Sequence, residues 1–154
     1  MRRVRFYIAS TLSNADQAED VAAYLRARGW IQTFNWAELP VQTDIDQLPI
    51  TADLELEGVM DADILFLLMP ARRGSHIEMG AALAAGIPVV ILSTSIEDVY
   101  DNGRPVSFYY HPLVAEHIID SNWFSLACQA HKKGGTIARK HKRTYKEKRY
   151  VKNA

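Results

Sequence analysis

The sequence predicts a doubly wound α/β domain on a five-stranded parallel sheet, and three observations carry that prediction. Residues 64–69 and 89–92 are unbroken apolar runs of strand length, as strands covered on both faces require. Between them Pro70 ends the first run, residues 71–74 form a short loop, and Ser75 opens a helix. In that helix Ile77, Ala81, Leu83, Ala84 and Ala85 supply packing residues, until Gly86 stops it ahead of Pro88. Strand, glycine-bearing loop, helix and strand within about thirty residues make a βαβ unit. The third observation is that strand and helix signals alternate in the same order through the rest of the chain.

Residues 3–9 (RVRFYIA) read as a first central strand, with a polar loop, residues 10–14, at its carboxyl end. Asn14 or Ser13 caps the next helix, where Ala18, Val21, Ala22 and Leu25 form an apolar stripe before Gly29. Residues 30–36 (WIQTFNW) alternate as a second strand. Residues 39–50, with two prolines and several aspartates, are expected as a loop over the ligand end. Thr51 begins a helix to about Met60, followed by Asp61-Ala62-Asp63 and the third strand. Beyond Leu92 comes a polar loop with a turn at Asp101-Asn102-Gly103. Residues 106–110 read as a fifth strand, and residues 112–131 as one or two helices. This order points to a flavodoxin-like sheet, 2-1-3-4-5, with the switch point between the first and third strands.

The 154 residues, 48% of them hydrophobic, suit one domain with a real core and no need of disulfides or metal. A lone cysteine, Cys128, fits a reducing cytoplasm and reads as a packing residue. No signal peptide is evident and no apolar run approaches membrane-spanning length. The zero net charge conceals a division. Residues 132–154 hold ten Lys or Arg against Glu147 alone, whereas eight Lys or Arg against 17 Asp or Glu precede them. The chain therefore divides into an α/β domain, residues 1–131, and a basic tail, residues 132–154. The tail starts at a Gly-Gly break and has too little apolar content for a core of its own. It reads either as a solvated, flexible extension or as a nucleic-acid-binding arm in which Tyr145 and Tyr150 stack on bases.

Glu78 is the single carboxylate of the helix after residues 71–74, beside the carboxyl end of the third strand, where open α/β sheets bind ligands. Ser75-His76-Ile77-Glu78 also fits a capping box, which would make Glu78 structural. The segment resembles the nucleoside 2-deoxyribosyltransferase family, which includes 2′-deoxynucleoside 5′-monophosphate N-glycosidases. The matching residues are Gly74, Glu78, Gly80, Ala82, Ala85, Gly86 and Val89, within a resemblance covering about residues 4–120. It implies that Glu78 is the nucleophile. It also implies an acidic residue on the preceding helix, eight positions before the Asp that starts the central strand, which orients or protonates the leaving base. Counting back from Asp63 gives Glu55, with Asp53 the near alternative.

Tyr7-Ile8-Ala9-Ser10 resembles the family's opening strand, Tyr-x-Ala-Gly, with Ser10 in place of the glycine. Family members acting on free nucleosides carry an Asp two residues before the loop glycine, and here Arg72 stands there. With Arg73, Gly74, Ser75 and the helix N-terminus, Arg72 forms a candidate phosphate site, unless both arginines face solvent. His76 lies in the same junction and is a candidate substrate contact. His76, His111 and His117 show no metal-ligand spacing, so no metal or other cofactor is expected. Tyr109-Tyr110-His111 is a candidate pocket wall in a neighbouring subunit, since the resemblance implies a homo-oligomer with shared sites.

These readings imply an enzyme that cleaves or exchanges the N-glycosidic bond of a (deoxy)nucleoside or its 5′-monophosphate. An attacking glutamate would pass through a covalent glycosyl ester. The rivals are a non-catalytic nucleotide-sensing module, a nucleic-acid-binding protein using the tail, and an NAD-cleaving enzyme.

Overall fold

The computed structural model describes the backbone of residues 1–152 and the side chains of residues 1–141. Strand β1 (Arg5–Ala9) leads through a 3-10 turn into helix α1 (Ala15–Arg26), whose Ala18, Val21, Ala22 and Leu25 are buried as the stripe predicts. Strand β2 (Ile31–Gln32), helix α2 (Leu48–Met60) and strand β3 (Ile64–Leu68) follow. Helix α3 (Arg73–Ala84) then leads to strand β4 (Val89–Ser93). A small hairpin, β5 (Tyr100–Asp101) and β6 (Arg104–Pro105), precedes strand β7 (Val114–Ile119) and helix α4 (Trp123–Lys152).

The main sheet has the order β2-β1-β3-β4-β7 with every pair parallel, which is the predicted flavodoxin-like topology. All residues of β3 and β4 are buried, so their sequences read as continuous apolar runs. Asn102 and Gly103 both have positive φ (48° and 75°), the geometry a two-residue hairpin turn requires.

Besides the start of α3, four elements differ from expectation. The second strand is two residues long, not seven. After Gln32 the chain turns away, because Thr33 Oγ1 donates to the carbonyls of Phe6 and Gly58 and Asn35 caps a 3-10 turn at Trp36. The alternation is still satisfied, since Trp30 and Trp36 both point inward. Helix α2 begins at Leu48 rather than Thr51, with Pro49 in its first turn, where a missing N–H is harmless.

The fifth strand is residues 114–119, not 106–110. Residues Ser107–Tyr110 form a 3-10 turn that buries Tyr109 and exposes Phe108 and Tyr110. Strand β7 escapes a pattern reading because only Ile118 of its six residues is fully buried. Pro112, read as a helix start, only precedes it.

The Gly-Gly pair expected as a break lies inside α4. A Cβ on Gly134 would sit 2.7 Å from Phe66 Cζ, and one on Gly135 would sit 3.3 Å from Trp30 Cζ2. Small residues are there because the helix crosses the sheet closely. Ala138 is buried beyond them, and His141 bonds the Gly86 carbonyl. Residues 132–141 therefore belong to the packed body, and the side chains of residues 142–154 lie outside the described residues.

Candidate active site

The carboxyl ends of β1 and β3 meet at the switch point, and a hydrogen-bond chain ties their loops together. Ser10 Oγ donates to Leu68 O (3.0 Å), while Asn14 Nδ2 reaches Ser10 Oγ and Pro70 O (3.1 Å each). Asn14 was expected as a helix cap. It precedes α1 but makes no capping bond with its side chain, because its amide is used across the switch point.

Above these loops lies a cleft of about 710 Å³. Ser10, Thr11, Ser13, Arg72, Gly74 and Ser75 give it polar walls at the two strand ends. Trp36, Leu39, Pro40, Val41, Leu48 and Leu54 give it an apolar wall. Trp36 is fixed by its Nε1–H, which donates to Ile8 O. Glu55 from α2 and Glu78 from α3 both line the cleft. Leu39, Pro40 and Val41 of the apolar wall come from the loop expected over the ligand end, Leu48 and Leu54 from α2 and Trp36 from the 3-10 turn before the loop. The wall's individual residues carry no chemical signature that a sequence reading finds.

Helix α3 starts two residues before Ser75, which changes the local chemistry. Ser75 Oγ accepts from Arg72 N (2.9 Å) and donates to Arg72 O (3.0 Å), closing the loop on itself. The expected capping box from Ser75 to Glu78 does not form. Glu78 is the sixth residue of α3, past the first turn, where the helix dipole has little effect. Its side chain is buried, and Oε2 has no hydrogen-bond partner.

Burial is the main reason the Glu78 carboxyl is pushed up to about 8, and the negative charge of Glu55 adds to it. The Tyr7 phenol pulls the other way, although neither Tyr7 Oη nor Glu78 Oε2 completes a bond of normal geometry. Tyr7 is itself raised, by burial first and then by Glu78 and Glu55. Burial also raises Glu55. Two carboxyls and a phenol thus share one corner; Tyr7 is fully buried beneath α2 and does not line the cleft, so the expected substrate contact is not made by its hydroxyl, and Glu78 Oε2 is the unpartnered atom a ligand can reach.

The other expected contacts divide. Ala9 is fully buried beneath the cleft, while Arg73 is exposed at the first residue of α3, away from the lining. His76 turns toward the 3-10 turn of Ser107–Tyr110. Its Nδ1 donates to Arg72 O (2.7 Å), leaving Nε2 to accept from Tyr109 Oη (2.7 Å). It holds the Arg72 loop from behind and borders a separate hollow with Phe108. Among the described residues no group of three or more His, Cys, Asp or Glu is placed to hold a metal ion, and no helix is long and apolar enough to cross a membrane.

No family model matches the sequence, and no curated protein is similar to it. Among solved structures the chain is similar to that of Clostridium botulinum CMP N-glycosidase, BcmB. The TM-score is 0.58 and the sequence identity 20%, over 81% of this chain and 95% of that chain. At that identity the likeness is one of fold: this chain shares a single-domain, all-parallel α/β architecture with a nucleotide N-glycosidase.

Proposed function

We propose that this protein cleaves or exchanges the N-glycosidic bond of a (deoxy)nucleoside or its 5′-monophosphate, with Glu78 as nucleophile. The observation that carries the reading is a buried carboxylate at the switch point with one oxygen unpartnered, beside a second carboxylate on the neighbouring helix. The N-glycosidase activity named for the solved structure of the same fold supports the reaction class.

The pair of carboxyls accounts for both protons and electrons. Before substrate binds, burial keeps the proton on Glu78, so the reaction begins with passage of that proton toward Glu55, which makes Glu78 the base and nucleophile and Glu55 the acid. A Glu78 oxygen attacks C1′ through an oxocarbenium-like transition state, and the C1′–N bond breaks. The Glu55 proton goes to the departing base nitrogen, leaving a glycosyl ester on Glu78. Water, giving its proton to Glu55, then releases the sugar; alternatively a second base attacks C1′ and is glycosylated. The Tyr7 phenol restrains the Glu78 carboxylate during both steps.

The apolar wall suits a planar base. Arg72, Ser10, Ser13 and the amino end of α3 suit the sugar's 5′ side, where a phosphate gains charge-assisted bonds. A second copy of the chain is the proposed partner. Leu48, Ile50, Leu54, Leu56 and Met60 of α2 are 39–58% exposed, although α2 is only 13 residues long and lines the cleft.

Chromatography of products from a panel of nucleosides and 5′-monophosphates, with and without a second base, tests the reading. Free base from at least one substrate is expected, and exchange into the second base separates transfer from hydrolysis. No base released from any of them, with the ligands nevertheless bound, would identify a sensing module instead.

A further inference from the structure

The loop that brings Arg72 to the cleft is held from two sides. On one side Asn14 Nδ2 donates to Pro70 O (3.1 Å). On the other, the Arg72 carbonyl accepts from His76 N (3.0 Å), Ser75 Oγ (3.0 Å) and His76 Nδ1 (2.7 Å). The Arg72 amide donates to Ser75 Oγ (2.9 Å). Both main-chain polar groups of Arg72 are thereby engaged, which fixes the direction in which its side chain leaves the backbone. Among the described residues no carboxylate forms an ion pair with its guanidinium, so the charge stays available.

His76 is itself held by Tyr109. The two rings stack with centroids 5.8 Å apart and planes 20° from parallel, and Tyr109 Oη donates to His76 Nε2 (2.7 Å). Tyr109 is buried, unlike its exposed neighbours Phe108 and Tyr110. Burial first, then Asp101 and Asp98, raises its phenol above the ordinary range, so the hydroxyl is a constant donor. The main chain of Tyr109 is anchored in turn, because His117 Nε2 on β7 donates to Tyr109 O (2.6 Å). A chain of contacts therefore runs from the edge strand through Tyr109 and His76 to Arg72. None of these three supporting residues lines the cleft, and both ring nitrogens of His76 are occupied away from it. A tyrosine needed only for packing would bury no hydroxyl, since phenylalanine fills the same place without a polar group to satisfy.

We propose that Tyr109 and His76 are positioning residues that set a preference for a 5′-phosphate by fixing the Arg72 loop, without touching substrate. This rests on the reading of Arg72 as the phosphate contact. A charge-assisted bond to phosphate holds only over a narrow distance, so a loop displaced by about 1 Å loses it. A nucleoside has no phosphate and does not register the shift.

The test uses the full-length protein with 2′-deoxycytidine and its 5′-monophosphate, and with the matching adenine pair. The readout is the ratio of kcat/KM for monophosphate over nucleoside. Where no base is released, the ratio of affinities from titration calorimetry takes its place. Tyr109→Phe, which keeps the buried ring, should lower the ratio about fivefold or more through the monophosphate's KM. The nucleoside values should stay within about twofold. His76→Asn keeps a donor near the Nδ1 position and loses Nε2, so it should give a similar loss without disturbing the Tyr109 ring. In an Arg72→Ala background, adding Tyr109→Phe should change nothing further, because the side chain it positions is gone. An unchanged ratio in both single variants, equal losses on the two substrates, or additivity with Arg72→Ala would overturn the inference. A wild type without the monophosphate preference would overturn it together with the phosphate site. The expected pattern in affinities with no base released would uphold it and remove the N-glycosidase reading instead.

Discussion

Glu78 is the residue on which burial and charge act together, and its position carries a thermodynamic signature. Its carboxyl is pushed up to about 8 in the folded chain, by burial first and by Glu55 second, against an ordinary value near 4.5 when unfolded. Between those values the folded state holds a proton that the unfolded state releases. This group's contribution is therefore intact below about 4.5 and lost as pH rises toward 8. Glutamine stays neutral in both states, so Glu78→Gln should stabilise the fold increasingly with pH. Urea unfolding should give a gain near zero at pH 4 and about 1–3 kcal/mol at pH 8; a gain that does not grow with pH would contradict the burial argument. Arg72 carries the other residue-level prediction. One charge-assisted bond to a phosphate contributes about 1.5–3 kcal/mol, so kcat/KM for a 5′-monophosphate should exceed that for its nucleoside at least tenfold. Arg72→Ala should remove most of that preference and spare the nucleoside reaction; equal use of both substrates by the wild type would place the arginine in solvent. Ser10 and Arg72 were legible as cleft residues because they follow the ends of β1 and β3, whereas Glu55 on α2 and the role of Glu78 came only from the family resemblance. Their surroundings were not, because two extra residues at the start of α3 place Glu78 past the capping position, where it is buried.

At the scale of elements, glycines decide where helices press on the sheet. A Cβ on Gly58 would sit 2.6 Å from Phe34 Cβ and 3.0 Å from Tyr7 Cε2, so α2 lies directly on the phenol beside Glu78. Gly58→Ala has no flexible atom to push aside. It should cost about 1–3 kcal/mol of stability and lower turnover by shifting Glu55 and Tyr7 together. Denaturation and kcat measured on the same preparation check this, and an unchanged kcat with lost stability would separate packing from catalysis. The continuous apolar runs of β3 and β4 and the stripe of α1 are legible because burial on a fixed side imposes a period. Strand β2, the 3-10 turn at residues 107–110 and strand β7 are not, because each lies at an edge. There isolated inward residues, Trp30 and Trp36 around β2, Tyr109 in the turn and Ile118 in β7, satisfy the core without a repeating pattern.

For the whole molecule, the parallel order and the switch point followed from the sequence because strand and helix signals alternate throughout most of the chain. The extent of the packed body did not. Composition alone ended it at residue 131, whereas close contact of Gly134 with Phe66 carries it to residue 141. The exposed apolar residues of α2 give a prediction at this scale. Sedimentation should find at least a dimer, and Leu56→Lys with Met60→Lys should shift it to monomer; a wild-type monomer at all concentrations would leave that face unexplained. The central claim, attack by Glu78, is tested most directly by turnover of Glu78→Ala on the best substrate of the panel. With the fold retained, the rate should fall at least a thousandfold, as loss of a covalent nucleophile requires. A variant retaining a tenth or more of wild-type turnover would contradict it.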